Sequence, residues 1–171
     1  MGLDRLYRKA VRIDLAYPTA FAAPLAPIAA ELNNATFVKN ITAALDEDNT
    51  EFTLGDPDTD DSMSFTDDSG NSTPTLDNPT VTMTAYMDDD RSASGVYDLA
   101  TQLLAFPDEA FYAIMRVGYA PDAAYAVGQE IRLVGVTTDL PVYMLESGSN
   151  AKIQNNFLTS GLVVWNYTIA G

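Results

Sequence analysis

The residues with the strongest claim to chemistry are acids. Asp56, Asp58, Asp60 and Asp67 occupy the first, third, fifth and twelfth places of a run that begins Asp56-Pro57-Asp58-Thr59-Asp60-Asp61. An EF-hand-like loop offers oxygens to Ca²⁺ at those places. Three features oppose a specific site: Asp61 stands where the sharp turn needs Gly, Asp67 replaces the bidentate Glu, and no helical pattern flanks the run. The sequence favours a solvated acidic loop and keeps Ca²⁺ binding as the alternative. Tyr86-Met87-Asp88-Asp89 spells the tetrapeptide that holds two metals in reverse transcriptases. The third metal-binding acid and the chain length for that chemistry are missing, and Asp90 simply extends an acidic run.

Other chemistries lose their usual agents. The chain has no Cys and no His, which removes thiolates, disulfides, the commonest general base and the commonest zinc ligand. Ser and Thr hydroxyls are plentiful, but nothing in the sequence places one beside Lys9, Lys39 or Lys152, and no G-x-S-x-G elbow occurs. Gly118, Gly128 and Gly135 are too scattered for a phosphate loop and read as strand-end or bulge residues. The sequence therefore assigns no catalytic, cofactor-binding or metal-binding residue and no cofactor. It predicts a protein that is not an enzyme.

The elements behind these residues belong to one domain of ordinary size, at 171 residues and 47% hydrophobic composition. Its formal net charge is −15, unsuited to gripping phosphates. That charge is unevenly placed: residues 1–45 carry +2, residues 46–109 carry −16 and residues 110–171 carry −1. The uncharged stretch Leu15 to Ala30 contains Pro18, Pro24 and Pro27 and is too short and broken to span a bilayer. Arg5, Arg8, Lys9 and Arg12 ahead of apolar residues imitate a signal peptide, but Asp14 and Pro18 interrupt the apolar part.

Leu3, Leu6, Tyr7, Ala10 and Val11 recur every three or four residues, which predicts a short amphipathic helix followed by an extended Ala/Pro-rich arm to residue 25. Pro27–Asn33 reads as a helical turn. Strand patterns follow at Thr80–Met87, Ala110–Tyr119, Gln129–Thr138 and Gly161–Ile169. Asp98–Phe106 is the clearest helix, with Asp98 as its cap, Leu99, Leu103 and Phe106 on one face, and Pro107 as its stop. Residues 55–79 hold Gly55, Pro57, Gly70, Pro74 and Pro79 and predict a long acidic loop or irregular hairpin. On the last strand, alternation puts Trp165 and Tyr167 on one face and Val164 and Asn166 on the other, with an aromatic core role favoured over a ligand-stacking one.

The order of these features carries a resemblance. Glu31-Leu32-Asn33-Asn34 leads into the first strand, then come the acidic Gly55-Asp56-Pro57-Asp58 loop, the Thr-rich strand and the helix near Tyr97-Asp98-Leu99. A strand ending Arg116-Val117-Gly118, the Ile131–Val136 strand and a closing strand complete the series. Over about residues 26–171 the chain resembles the major tail proteins, or tail tube proteins, of long-tailed bacteriophages, particularly those of actinobacteria. The resemblance implies a mainly β fold: an antiparallel β-sandwich or barrel with one short flanking helix, similar to the tube protein of type VI secretion. It further implies a structural virion protein, assembled in the bacterial cytoplasm into stacked hexameric rings. Their lumen would conduct double-stranded DNA without specific binding. The partners implied are other copies of the chain, the tape measure, terminator and distal tail proteins, and no membrane. On this reading residues 1–25 form an N-terminal arm and 26–171 the domain, with Arg5, Arg8, Lys9 and Arg12 meeting acids of a neighbouring copy. Two alternatives remain: a tail terminator or tube-end adaptor, and a secreted or surface Ca²⁺-binding β-sandwich module.

Overall fold

A computed structural model describes residues 10–56, 78–88, 94–145 and 148–170, together with the backbone of 58–60 and 73–76. Its elements are β1 (Val11–Ala16), α1 (Ala29–Leu32), β2 (Val38–Asn40), β3 (Glu51–Leu54), β4 (Asp58–Asp60), β5 (Thr73–Leu76) and β6 (Pro79–Tyr86). They continue with α2 (Val96–Ala105), β7 (Ala110–Val117), β8 (Glu130–Thr137), β9 (Val142–Met144) and β10 (Lys152–Thr168). Eight strands make one antiparallel sheet in the order β2-β1-β7-β8-β10-β6-β3, with β9 also paired to β10. β4 and β5 pair as a separate two-stranded ribbon, the hairpin form of the expected 55–79 excursion.

The sheet curls over itself. Ile13 and Leu15 of β1, Phe111, Ala113 and Met115 of β7, and Val134 and Val136 of β8 meet Phe52, Val81, Met83, Ala85, Ile153 and Phe157 from the β3-β6-β10 side in one buried cluster. Ala100, Leu103 and Leu104 bring α2 into the same cluster, so the helix flanks this core. The opposite face of β1-β7-β8 is buried as well: Ala16, Ile114, Ile131 and Leu133 pack with Ala20, Phe21, Leu32, Val38 and Tyr125. The central strands thus separate two apolar layers. The outer one is covered by chain from residues 17–37 and by the loop between β7 and β8.

The mainly β architecture with few helices is the one the sequence pattern and the resemblance imply. Several local readings differ. Val11–Ala16, expected as the end of a helix and the start of an arm, is a strand paired to both β2 and β7. Leu3 to Lys9, the rest of that expected helix, lie outside the described residues. Two apolar rhythms overlap at Val11: a spacing of three and four before it, and the alternation Val11, Ile13, Leu15 after it. α2 begins at Val96 with Gly95 as its N-cap residue, so Asp98 sits inside the first turn. There its carboxylate faces the helix's positive end and accepts from Gln102 Nε2 at 2.7 Å. The helix stops where expected, because Pro107 pushes Phe106 into extended geometry. Phe106 is exposed and does not share the buried face of Leu103.

β10 is seventeen residues long and starts nine residues earlier than its sequence pattern indicated. Its first half pairs with β6 and its second with β8. The pairing passes from Thr159↔Val136 to Val163↔Val134, so two extra residues bulge out of β10 where Gly161 takes a φ of 79°. Opposite the bulge, a Cβ on Gly135 would lie 2.3 Å from Ser160 Oγ and 3.2 Å from Leu162 Cβ. A second irregularity falls between Val164 and Tyr167, with Asn166 at a φ of 57°. It shifts the alternation by one. Trp165 packs on the inner cluster, 5.9 Å from the Phe52 ring, while Tyr167 joins Val164 on the outer layer. The expected shared face of Trp165 and Tyr167 is therefore undone by one extra residue.

Gly135→Val should lower stability by about 1–3 kcal/mol, because the new side chain must push the β10 bulge aside. Urea titration followed by circular dichroism reads this; an unchanged midpoint would show that the bulge can shift freely.

Candidate assembly surface

The outer layer is held by charge as well as by apolar packing. Arg12 of β1 and Arg116 of β7 stand directly opposite each other in the strand register, a pairing that like charges normally avoid. Asp14, fully buried on the same face of β1, accepts from Arg12 Nε at 2.8 Å and from the Tyr125 hydroxyl. Arg116 is also fully buried; its Nη1 donates to the Ala124 carbonyl and Gln129 Oε1, each at 3.0 Å, and its Nη2 to the carbonyls of Ala120 and Ala123. Both guanidinium groups lie over the Tyr125 ring, at 4.5 and 4.7 Å from its centroid. Burial pushes the Asp14 carboxyl up from its ordinary range, and Arg12 and the Tyr125 hydroxyl pull it back. Burial and the neighbouring Asp14 raise the Tyr125 phenol well above its usual value, so it remains a donor.

This cluster clamps the β7–β8 loop onto the sheet. Asn33, just past α1, completes the closure: its side chain donates to the Tyr125 carbonyl and accepts from the Tyr125 amide, both at 2.8 Å. Asn40 donates to the Pro121 carbonyl at 2.9 Å. Arg12 is thereby committed within its own subunit and does not reach a neighbour, which corrects the expectation for that one residue. Arg5, Arg8 and Lys9 lie outside the described residues.

The sheet has open edges. Among the described residues β2 pairs only with β1, β3 only with β6, β9 only with β10, and residues 158–168 of β10 only with β8. Two of these edges carry charge that blunts them, Lys39 on β2 and Glu51 on β3. The other two do not. β9 is Val-Tyr-Met, and residues 158–165 run Leu-Thr-Ser-Gly-Leu-Val-Val-Trp without a charge. Around β9 the apolar side chains are unusually bare: Leu140 is 72% exposed and Leu145 73%, with Val142, Tyr143 and Leu158 also exposed. Leu158 is drawn to this end by its pairing with Thr137. Phe106 is drawn there by the bond from Thr138 Oγ1 to its carbonyl. An uncharged edge beside exposed large apolar residues is the kind of surface that natural proteins usually cover.

The acids have varied surroundings. Asp46 is buried and accepts from Lys152 Nζ and Asn49 Nδ2, each at 2.7 Å. Those bonds hold its carboxyl below the ordinary range, Lys152 contributing most. Lys39 Nζ donates to the Ala35 carbonyl. Of the acidic run considered for Ca²⁺, Asp58 and Asp60 fall on β4 and Asp56 is exposed beside it, while Asp61 and Asp67 lie outside the described residues. Asp88 follows β6; Asp89 and Asp90 also lie outside the described residues. Among the described residues no three carboxylates converge on a metal-sized site, and no helix is long and apolar enough to cross a membrane. Sequence reasoning missed both the buried Arg12–Asp14–Arg116–Tyr125 cluster and the bare strip at β9. The alternation of Arg12 and Asp14 with Val11, Ile13 and Leu15 was the available signal for the first, and Leu140 to Leu145 flanking Pro141 for the second.

A curled antiparallel sheet with few helices and a double apolar layer defines a mainly β protein. Residues 5–171 match the family model described as phage tail tube protein, and the chain belongs to that family. It is a structural component of the virion tail tube, and membership implies self-assembly into a tube together with other tail proteins. No curated protein matches the sequence.

Replacing Arg116 by Met should destabilise the fold by about 3–5 kcal/mol, since it removes the four hydrogen bonds that tie the β7–β8 loop to β7 and leaves the buried Asp14 with less compensating charge. Denaturant unfolding checks this. The Asp46 contribution has a definite pH sign: its folded pKa is depressed, so the stability it adds is complete above the ordinary carboxylate range and fades as pH falls through the lowered value. Melting scans between pH 6 and 3 should show a shallower acid loss in Asp46→Asn than in the native protein. Equal slopes would remove Asp46 as a source of acid sensitivity.

Proposed function

We propose that this chain is the repeating subunit of the tube, forming hexameric rings that stack around an acidic lumen and let the genome pass during ejection. The observation that supports it most is the pair of uncharged open edges, β9 and the second half of β10, on opposite margins of one subunit. When one copy's β9 edge and bare leucines meet the β10 edge of the next, the contact is head-to-tail, and such contacts close into rings when the rotation allows. Backbone pairing then removes the aggregation hazard of an open sheet.

Charge supports the conduit. Six copies at −15 carry six times that, or −90, per ring. Duplex DNA has a charge about every 1.7 Å, so an acidic wall leaves the duplex unbound. With a Debye length of about 8 Å at physiological salt the repulsion is felt near the wall and centres the duplex. The same repulsion opposes ring formation, which makes apolar burial at the edges the attractive term. Tape measure, terminator and distal tail proteins are the further partners of this reading, and the bacterial cytoplasm is the place of assembly.

Electron microscopy of concentrated protein in negative stain tests it. Stacked rings with an axial channel are the expected result. The double variant Leu140→Asp with Leu145→Asp should keep its circular dichroism and melting as a monomer but form no tubes. Tubes of normal length from that variant would place the subunit contact elsewhere. Isolated particles whose melting temperature rises with Ca²⁺ would favour a binding module.

A further inference from the structure

Most cations among the described residues are committed inside the subunit. Arg12 and Arg116 belong to the buried cluster, Lys152 pairs with Asp46, and Lys39 donates to the Ala35 carbonyl. Arg132 differs. It stands half-buried on β8 with its guanidinium 4.8 Å from the centroid of the Trp165 ring, and it makes no hydrogen bond or ion pair. Even Glu130, which lines the same small recess, does not pair with it. Stacking on an aromatic ring aims a guanidinium but leaves its N–H donors open to a carboxylate. Because Trp165 lies on the uncharged edge of β10, those donors stand at the margin where the tube reading brings in a second copy.

We propose that Arg132, aimed by Trp165, receives the Asp139 carboxylate of a neighbouring copy. The proposal rests on the tube reading and gives its edge contact a register. Asp139, just ahead of β9, is exposed, and its carboxylate accepts only from the adjacent Leu140 amide, at 2.7 Å. All the strand pairs described are antiparallel. Let one copy's β9 meet the next copy's β10 edge in that sense, with Tyr143 opposite Gly161, where the missing side chain leaves room for the ring. Val142 then falls opposite Leu162 and Leu140 opposite Val164. Leu162 and Val164 both belong to the outer layer, so bare apolar side chains meet apolar ones. The same register sets Asp139 opposite Trp165, on the inner face that Arg132 shares, since residues directly opposite in a ladder are neighbours on one face. A slip by one residue would turn Asp139 onto the apolar outer layer and Leu140 toward the guanidinium. Reach is sufficient: neighbouring strands lie about 4.8 Å apart, and the Arg132 side chain already extends from β8 over β10. Between copies that carry 24 acids against 9 cations, a cross-copy ion pair fixes register and turns one repulsive approach into an attractive one.

Charge exchange tests this. Arg132→Glu and Asp139→Lys should each cut the fraction of protein in tubes at least about tenfold at equal concentration, and the two combined should restore it to within about threefold of native. A combined variant no better than the single ones, or single variants that assemble like the native chain, overturns the inference. Circular dichroism and melting check each fold. Where a reversed charge disturbs it, Arg132→Gln and Asp139→Asn take its place, Asn keeping an acceptor for the Leu140 amide. Each should lower assembly severalfold; unchanged assembly overturns the inference. Trp165 is the chain's only tryptophan, so its fluorescence adds a local reading. Iodide quenching should drop severalfold when native subunits enter tubes, and undiminished quenching in tubes also overturns it. Native protein that forms no tubes sinks the tube reading and this register with it, whereas native tubes indifferent to the charge variants sink the register alone.

Discussion

The structure depends on a buried pair of like charges. Arg12 and Arg116 face each other across the β1–β7 ladder, and neither can surrender its proton. Such a pair survives only when the surroundings supply opposite charge and acceptors at fixed positions. Asp14 gives the charge, and the turns of the β7–β8 loop give carbonyls. Because the acceptors are backbone atoms, the loop has to adopt one shape to satisfy them. Once fixed, it presents Tyr125 to Asn33 and closes the outer layer over Ile114, Ile131 and Leu133. A requirement of electrostatics therefore becomes a requirement on fold. The clamp holds β1 between β2 and β7, one strand in from the edge.

In the proposed assembly, the open edges are what one subunit offers the next. A sheet that closed completely would have nothing to offer a second copy, and one with long flat edges would aggregate without order. Here β10 changes partner between Phe157 and Leu158, so its first half is covered by β6 and its second half is free on that side. The free half and β9 are uncharged, whereas β2 and β3 each carry a charged residue. The choice of open edges is thus written in which strands lack Lys and Glu. A protein built to polymerise can confine its apolar exposure to the surfaces that neighbours will cover, and the concentration of bare leucines near β9 has that form.

The charge distribution is a second constraint on assembly. Nearly all of the excess negative charge falls between residues 46 and 109, where Asp46 pairs with Lys152. Self-repulsion of this size is tolerable where apolar contacts oppose it and salt screens it. In the proposed tube, a passage that does not hold DNA and cohesion between copies pull in opposite directions.

The sequence alone determined the class. Alternation in Thr80–Met87, Ala110–Tyr119 and Gln129–Thr138 marked strands that exist within two residues of those bounds, because period two is a local property of a half-buried strand. The helix ending at Pro107 was readable for the same reason, as were the charge asymmetry and the order of features that resembles tail tube proteins. What lies across from each strand was decided only in three dimensions. Arg12 and Asp14 look like surface residues until Tyr125 and the β7–β8 loop, more than a hundred positions away, cover them. Val11–Ala16 looked like an arm because its charges masked its apolar alternation. Trp165 and Tyr167 exchanged faces because one left-handed residue, Asn166, changed the phase of the strand between them. Periodicity fixes the faces of an element relative to one another, but long-range pairing and a single inserted residue decide which face meets the core, and neither is encoded within a local window.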